Sequence, residues 1–366
     1  MTEPDKDAIR ARCERSLSWD SPRRSAPKNV LEELAASCPP DLVFDRYGEG
    51  ELLRGFEQEV AELLGKEAAV FMLSGTMAQQ IALRIWSERR RLPTVAFHPT
   101  CHLEVHEEKG YERLQGLRAR LVGAPTARLT LADLERMAEP VAALLLELPQ
   151  RELGGLLPAW DELTAIAAWA KREGVALHLD GARLWETKPF YGREYAEIAG
   201  LFDSVYVSLY KGLGGIAGSV LAGPASFIAE ARVWQRRHGG TLVSVYPLVL
   251  SAKAGLAARL GQMGAYHEKA VAIARRLATI PDLAVIPDPP QTCMMHLAVR
   301  AAPDRVERAA LEVAEETRVW LFGKASATGV PGWVRLEIAA YDGALEIETE
   351  EIGQLVEAVL ERARRA

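Results

Sequence analysis

Val175–Glu186 reads VALHLDGARLWE, and Ser204–Gly215 reads SVYVSLYKGLGG. Each begins with an apolar run of strand length and ends in residues that carry chemistry. In the first, Asp180 closes the strand and Arg183 follows. In the second, Lys211 stands between a strand and a run of small residues. Ligands of open α/β sheets bind at the carboxyl ends of the strands, so both segments point to one edge of such a sheet. Taken singly, each has a plainer meaning. A strand-end Asp is a common structural cap, and a lysine in a Gly-rich turn is most simply a surface residue. GLGG lacks the GxGxxG spacing and a following helix, so it is not a dinucleotide loop.

Outward from these segments, strands alternate with helices. Leu52–Leu64 has apolar residues at helical spacing and stops at Gly65. Ala68–Leu73 predicts a buried strand, Ser74-Gly75 a turn, and Thr76–Arg89 a helix. Thr94–Phe97 predicts a strand with a helix from about Thr100. Val141–Leu146, Val175–Leu179, Ser204–Ser208 and Ile216–Ala222 predict further strands, and Leu163–Glu173 a helix closed by Gly174. This alternation implies an α/β domain with a mainly parallel sheet. Beyond Tyr246 the texture changes to a long helical stretch, about Pro247–Thr279, then strands at Met294–Val299 and Trp333–Ile338. Three regions follow: an N-terminal arm over 1–45, a large domain over 46–246 and a smaller α+β domain over 247–366.

Composition narrows the function. The chain has 366 residues, 49% hydrophobic and 26% charged, with a formal charge of -6. An acidic balance does not suit a phosphate-backbone binder, so no nucleic-acid partner is expected. No apolar run reaches the 18 residues of a membrane span. The start, MTEPDKDAIRARCERS, has no apolar core and does not read as a signal peptide. Cys13, Cys38, Cys101 and Cys293 are far apart and form no CxxC pair. A cytoplasmic location is expected.

SGTMAQQ (Ser74–Gln80) is a third chemical segment. Backbone N–H groups at a helix start, with the Ser74 and Thr76 hydroxyls, make an anion site, though Ser-Gly-Thr is also an ordinary N-cap. Ser208 could add a hydroxyl near Lys211. A phosphate cradle, a strand-end acid and a lysine after a later strand are together what pyridoxal phosphate requires. The lysine forms a Schiff base, the acid pairs with the pyridinium nitrogen, and the cradle holds the phosphate.

At these residues the chain resembles the threonine aldolase and aromatic amino acid β-eliminating lyase family of fold type I pyridoxal phosphate enzymes. The likeness is greatest to a bacterial L-allo-threonine aldolase-like subgroup. The matching stretches are YGEGELLRGFEQEVAELLGKEAAVFMLSGTMAQQIAL, CHLEVHEEKG, HLDGARLWE, DSVYVSLYKGLGGIAGSVLAG and VRLEIA, from about Tyr47 to Ala339. The resemblance implies a large transferase-like domain with a mainly parallel seven-stranded sheet. It implies a homodimer or homotetramer with the active site at the subunit interface. Lys211 would carry the cofactor and Asp180 would pair with its ring nitrogen. Gly75 and Thr76 would hold the phosphate, with Ser74 and Ser208 as helpers. His102 would stack on the ring. Arg183 and Arg335 would lie near the cofactor and the substrate carboxylate, and Tyr47 would reach a neighbouring subunit's site.

Other residues are read more plainly. His98, His102 and His106 are spaced by four, as in a metal ladder, but Pro99 places His98 before the helix and no ligand cluster completes a zinc site. No metal is expected. His178 reads as a satisfied core histidine, and Asp20 as solvated. Three segments depart from the family. SLSWDSPRRSAP stands where a DLRSDTVTRP-like stretch is usual. ELPQRE replaces an ENTH-like segment, so Gln150 stands where a second histidine would be. RRHGGTLVS lacks an expected arginine after its Gly-Gly pair, leaving Arg236 or Arg237 as substitutes. The implied activity is cleavage of L-threonine or L-allo-threonine-type β-hydroxy-α-amino acids to glycine and an aldehyde. The alternatives are β-elimination from another amino acid with the same cofactor, and cofactor binding without turnover.

Overall fold

A computed structural model describes residues 5–18 and 25–365. Asp20 and the centre of SLSWDSPRRSAP lie outside the described residues. The chain forms two compact units. The larger comprises Ser37–Glu152 and Leu157–Gly261; the other comprises the described residues of Met1–Ala36 with Leu153–Leu156 and Gln262–Ala366.

In the larger unit seven strands form one sheet: β1 (Ala68–Met72), β2 (Thr94–Phe97), β3 (Arg118–Leu121), β4 (Ala143–Glu147), β5 (Ala176–Gly181), β6 (Ser204–Ser208) and β7 (Ser219–Gly223). Their spatial order is β1-β7-β6-β5-β4-β2-β3. β7 runs antiparallel to both neighbours, and all other pairings are parallel. β1 therefore runs the same way as β2 to β6. The exception has a chain-length cause. The link from Ser208 to Ser219 is too short for a crossover helix, so the chain must turn back. The expected seven-stranded, mainly parallel α/β sheet is what forms. β1, β2 and β4 are wholly or almost wholly apolar and β6 is fully buried, as a sheet covered on both faces requires.

The helices follow the sequence signals closely. α1 (Glu51–Leu63) buries Leu53, Phe56 and Val60, the apolar stripe of the sequence, and Gly65 turns the chain at φ +60°. α2 (Gly75–Arg90) and α4 (Trp160–Glu173) flank the sheet, the latter ending on Gly174 at φ +64°. The helix expected from Thr100 is only α3 (His102–Val105), capped by His106. Glu108 and Lys109, both at positive φ, break it before a further turn at Gly110–Arg113. The long helical stretch is two helices, α5 (Tyr246–Arg259) and α6 (Met263–Leu277), interrupted by a 3₁₀ turn at Leu260–Gln262. α5 belongs to the larger unit, where it packs on α1. β3 escaped the sequence reading because RARL is an edge strand, charged and largely exposed.

The other unit holds a four-stranded antiparallel sheet, Ser326–Ala327, β10 (Trp333–Ala339), β9 (Met294–Arg300) and β8 (Leu283–Ile286) in that order. Its core joins Leu297, Val299, Leu336 and Ile338 to Ile273 and Leu277 of α6, with α7 (Pro303–Thr317) and α8 (Thr349–Arg365) supplying Val306, Val313, Val356 and Val359. Arg15–Ser16 pairs with Val319–Trp320. Among the described residues no helix is long and apolar enough to cross a membrane.

Candidate active site

Because β1, β2, β4, β5 and β6 all point one way, the segments that follow them meet at one sheet edge. Ser74–Thr76 follows β1, His102 follows β2, Glu147 and Asp180 end β4 and β5, and Ser208–Lys211 follows β6. This is the edge where parallel sheets bind ligands.

Asp180 is buried, and its Oδ1 accepts the Ala182 N–H at 3.0 Å. Directly across the ladder stands Glu147. Glu147 Oε1 accepts the backbone N–H of His102 at 2.7 Å, while Oε2 is buried without a partner among the described residues. Burial pushes both carboxyls up, and their mutual repulsion adds to it at Glu147, which reaches about 8. The Lys211 charge opposes the shift at each. Burial thus favours the protonated form at both, and the Lys211 charge is the largest cause that favours the Asp180 anion.

Lys211 is half-buried in the β6–β7 link. Burial pulls its ammonium below the ordinary lysine value, Arg183 and Arg151 add to that, and Asp180 and Glu147 oppose it. Its Nζ makes no hydrogen bond or ion pair among the described residues. Lys211 and Asp180 thus feel each other's charge without touching. A lysine in such a setting has an accessible neutral amine. Ser208 is fully buried beneath it, its Oγ 3.4 Å from the N–H groups of Tyr210 and Lys211.

His102 is one-third exposed, and its Nδ1 lies 3.0 Å from Glu107 Oε1. A charge on its ring would lower the Asp180 carboxyl. Glu107 Oε2 also meets Gln80 Nε2 of α2 at 3.5 Å. The turn at α2 is held from below. Ser74 Oγ caps the helix by accepting the Met77 N–H at 3.2 Å. A Cβ on Gly75 would lie 2.1 Å from the Tyr206 hydroxyl, so only glycine fits. Tyr206 pairs with Asp180 in the next strand, and its phenol is pushed up by burial and by that acid. Thr76 is half-buried, with a hydroxyl that makes no hydrogen bond among the described residues.

Arg183 follows β5, mostly buried, with Nη1 3.1 Å from Glu186 Oε1. Gln150, standing where the resemblance expects a histidine, is buried beyond the cis Leu148–Pro149 bond. Tyr47 lies in the larger unit, 58% exposed at φ +49°, its N–H donating to the Val243 carbonyl. Beside it Asp45 is buried, taking Ser244 Oγ and the N–H groups of Val245 and Tyr246 at the start of α5. Arg335 lies on β10 of the other unit, paired in register with Ala298 and Ser326. His98 stands before the helix, bonded to Thr100 and to the carbonyls of Ala124 and Ala127. His178 is bonded to Ser204 at 2.7 Å and Gln79 at 2.6 Å, and burial lowers it to about 3. It is a neutral core histidine, as read from the sequence. Arg237 stacks on Trp234.

The sheet edge thus gathers Lys211, Asp180, Ser208, Arg183, His102 and the Ser74–Thr76 turn. Glu147, Glu107, Gln80 and Tyr206 were missed. Glu147 closes the apolar run VAALLL as Asp180 closes VALHL, but that position alone does not show that the two acids lie across one ladder.

The comparisons agree with this architecture. Residues 42–302 match the beta-eliminating lyase family. A proposed L-allo-threonine aldolase from Listeria monocytogenes EGD-E is 40% identical, superposes with a TM-score of 0.91, and covers 97% of this chain and 98% of its own. A proposed aromatic amino acid beta-eliminating lyase/threonine aldolase from Exiguobacterium sp. 255-15 is 39% identical with a TM-score of 0.91, covering 98% and 99%. The low-specificity L-threonine aldolase 1 of Arabidopsis thaliana is 30% identical over 72% of this chain and 75% of its own. The chain belongs to the beta-eliminating lyase family.

Proposed function

We propose that the protein binds pyridoxal 5'-phosphate and cleaves L-threonine or L-allo-threonine-type β-hydroxy-α-amino acids to glycine and an aldehyde. One observation carries the reading. A half-buried lysine with a lowered ammonium and a buried carboxylate oppose each other at one sheet edge without forming an ion pair. The donor set fits the cofactor. Lys211 offers an amine, Asp180 an anion for the ring nitrogen, and His102 an aromatic face. Gly75 and Thr76 offer backbone N–H groups at a helix start where a Cβ would not fit. The Glu147 Oε2 atom, buried and unpaired, needs a partner of the kind a polar ligand supplies.

The cofactor, when bound, supplies the electron sink for a bond broken at the substrate Cα. The protein supplies the rest. Arg183, with Arg335 as the second arginine of the assignment, suits the substrate carboxylate because a guanidinium binds it with two parallel hydrogen bonds. The N–H at His102 Nδ1 donates to Glu107, which leaves Nε2 with a lone pair. That nitrogen takes the β-hydroxyl proton as the Cα–Cβ bond breaks and the aldehyde leaves. A proton returned to Cα completes glycine. Ser74 and Ser208 act from beneath, by capping α2 and by holding the backbone at Lys211.

The assignment includes self-association, with Tyr47 serving a neighbouring copy's site. Supporting it, Val43, Phe44, Tyr47, Leu242 and Val243 are exposed around one loop pair of the larger unit. None of the four cysteines is in a disulfide, which suits a reducing compartment, and we place the protein in the cytoplasm. Titrating the apoprotein with pyridoxal phosphate tests cofactor binding. A visible band should form with wild type and be lost in Lys211→Ala. A persistent band in pure mutant protein would refute the assignment.

A further inference from the structure

We infer that Glu107 is the positioning residue of His102: it holds the imidazole in one tautomer and one plane, and ties that ring to the helix that starts at the Ser74–Thr76 turn. The inference rests on the aldol reading above. The Glu107 side chain is 3% exposed. A buried carboxylate is costly unless it is paired. Yet no lysine or arginine pairs with Glu107 among the described residues, and its charge disfavours the nearby Asp180 anion. Its two oxygens have two partners. Oε1 meets His102 Nδ1 at 3.0 Å, and Oε2 meets Gln80 Nε2 at 3.5 Å. The chargeable one of the two is the imidazole of the site, so the acid is explained by what it does to that ring.

The backbone shows how the contact forms. In a continued helix Glu107 would lie about 140° round the axis from His102, facing away from its ring. α3 instead ends at Val105, and Glu108 and Lys109 follow at φ +50° and +54°. Residues other than glycine rarely adopt that region, and it persists where the surroundings hold it. The turn brings the Glu107 carboxylate back to the ring. Gln80 is buried on α2, and a Cβ on Gly110 would lie 2.3 Å from its Nε2. Gly110 thus lets the amide come close, and its own N–H donates to the Glu107 carbonyl at 2.9 Å. The main chain at His102 is held separately, by Glu147 at 2.7 Å. No covalent step is added. The β-hydroxyl proton goes to His102 Nε2, the Nδ1–H stays on the ring, and Glu107, still an anion, stabilises the imidazolium that results.

Glu107→Gln tests this, because it keeps the shape, loses the charge and has one oxygen to share between His102 and Gln80. Enzyme loaded with pyridoxal phosphate is assayed for glycine from L-allo-threonine. The variant should lose about 10²-fold in kcat, the low end of general acid–base effects. KM and the cofactor dissociation constant, read from the visible band, should not change. His102→Ala should be slow already, and adding Glu107→Gln to it should cost little more, because residues that act as a unit are not additive. Gln80→Met, which leaves Glu107 in place, should give a smaller loss in kcat, again at constant KM. Wild-type kcat in Glu107→Gln, or losses that multiply in the double variant, would overturn the inference and leave the aldol reading intact. Should Glu107→Gln fold poorly, Gln80→Met decides, and an unchanged kcat there would overturn it. A wild-type enzyme that yields no glycine would fail the aldol reading, and this inference with it.

Discussion

The paired acids at the ends of β4 and β5 are the most consequential residue-scale feature. Glu147 is raised to about 8 from an ordinary 4.5. Between those values the unfolded chain has lost a proton that the folded protein keeps, so the folded state binds more protons. Stability from this group is therefore full below 4.5 and lost as pH rises through 8. Glu147→Gln, which keeps shape and removes the titration, should flatten the decline of Tm between those pH values. Calorimetry across the range checks this; an unchanged slope would place the proton elsewhere. The sequence disclosed Asp180 because it ends an apolar strand, and Lys211 because it stands just beyond another, ahead of a run of small residues. It did not disclose Glu147, whose significance comes from lying across the ladder from Asp180, and register between two parallel strands is not written in either strand alone.

At the scale of elements, two joints hold the site. Gly75 lets α2 begin against Tyr206 on β6. Gly75→Ala would place a Cβ 2.1 Å from that hydroxyl. The helix start must then shift, costing about 1–3 kcal/mol as overpacked positions do and weakening pyridoxal phosphate binding. Denaturant melts and cofactor titration should move together; wild-type values in both would show that the start of α2 yields freely. Asp45 is the second joint. Its carboxylate gathers Ser244 Oγ and the first N–H groups of α5. Asp45→Ala leaves those donors buried and should cost about 1–3 kcal/mol per unsatisfied group, read from the same melts. Helices and strands themselves were legible from periodicity, since α1, β2 and β6 fall where the pattern puts them. The break of α3 was not, because it comes from positive φ at Glu108 and Lys109, residue types that give no warning. Asp45 was also hidden, since its partners are some 200 positions away in the chain.

For the whole molecule, the exposed apolar loop pair around Phe44 and Val243 is the feature that isolation would leave costly. Phe44→Asp should lower the oligomeric state in sedimentation and lower activity with it, without loss of the fold. A wild type that sediments as a monomer and turns over normally would remove self-association from the proposal. The family was legible because its motifs sit on strand ends that the fold must bring together. The substrate was less so, because Gln150 and the divergent N-terminal segment depart from the pattern at positions that the resemblance links to active-site contacts.

The decisive measurement is product analysis. Purified enzyme loaded with pyridoxal phosphate is incubated with L-allo-threonine, and glycine, acetaldehyde, 2-oxo acid and ammonia are quantified, with Lys211→Ala alongside. Equimolar glycine and acetaldehyde, absent in the variant, is the expected result. A 2-oxo acid and ammonia without glycine would contradict it and make the protein an eliminating lyase.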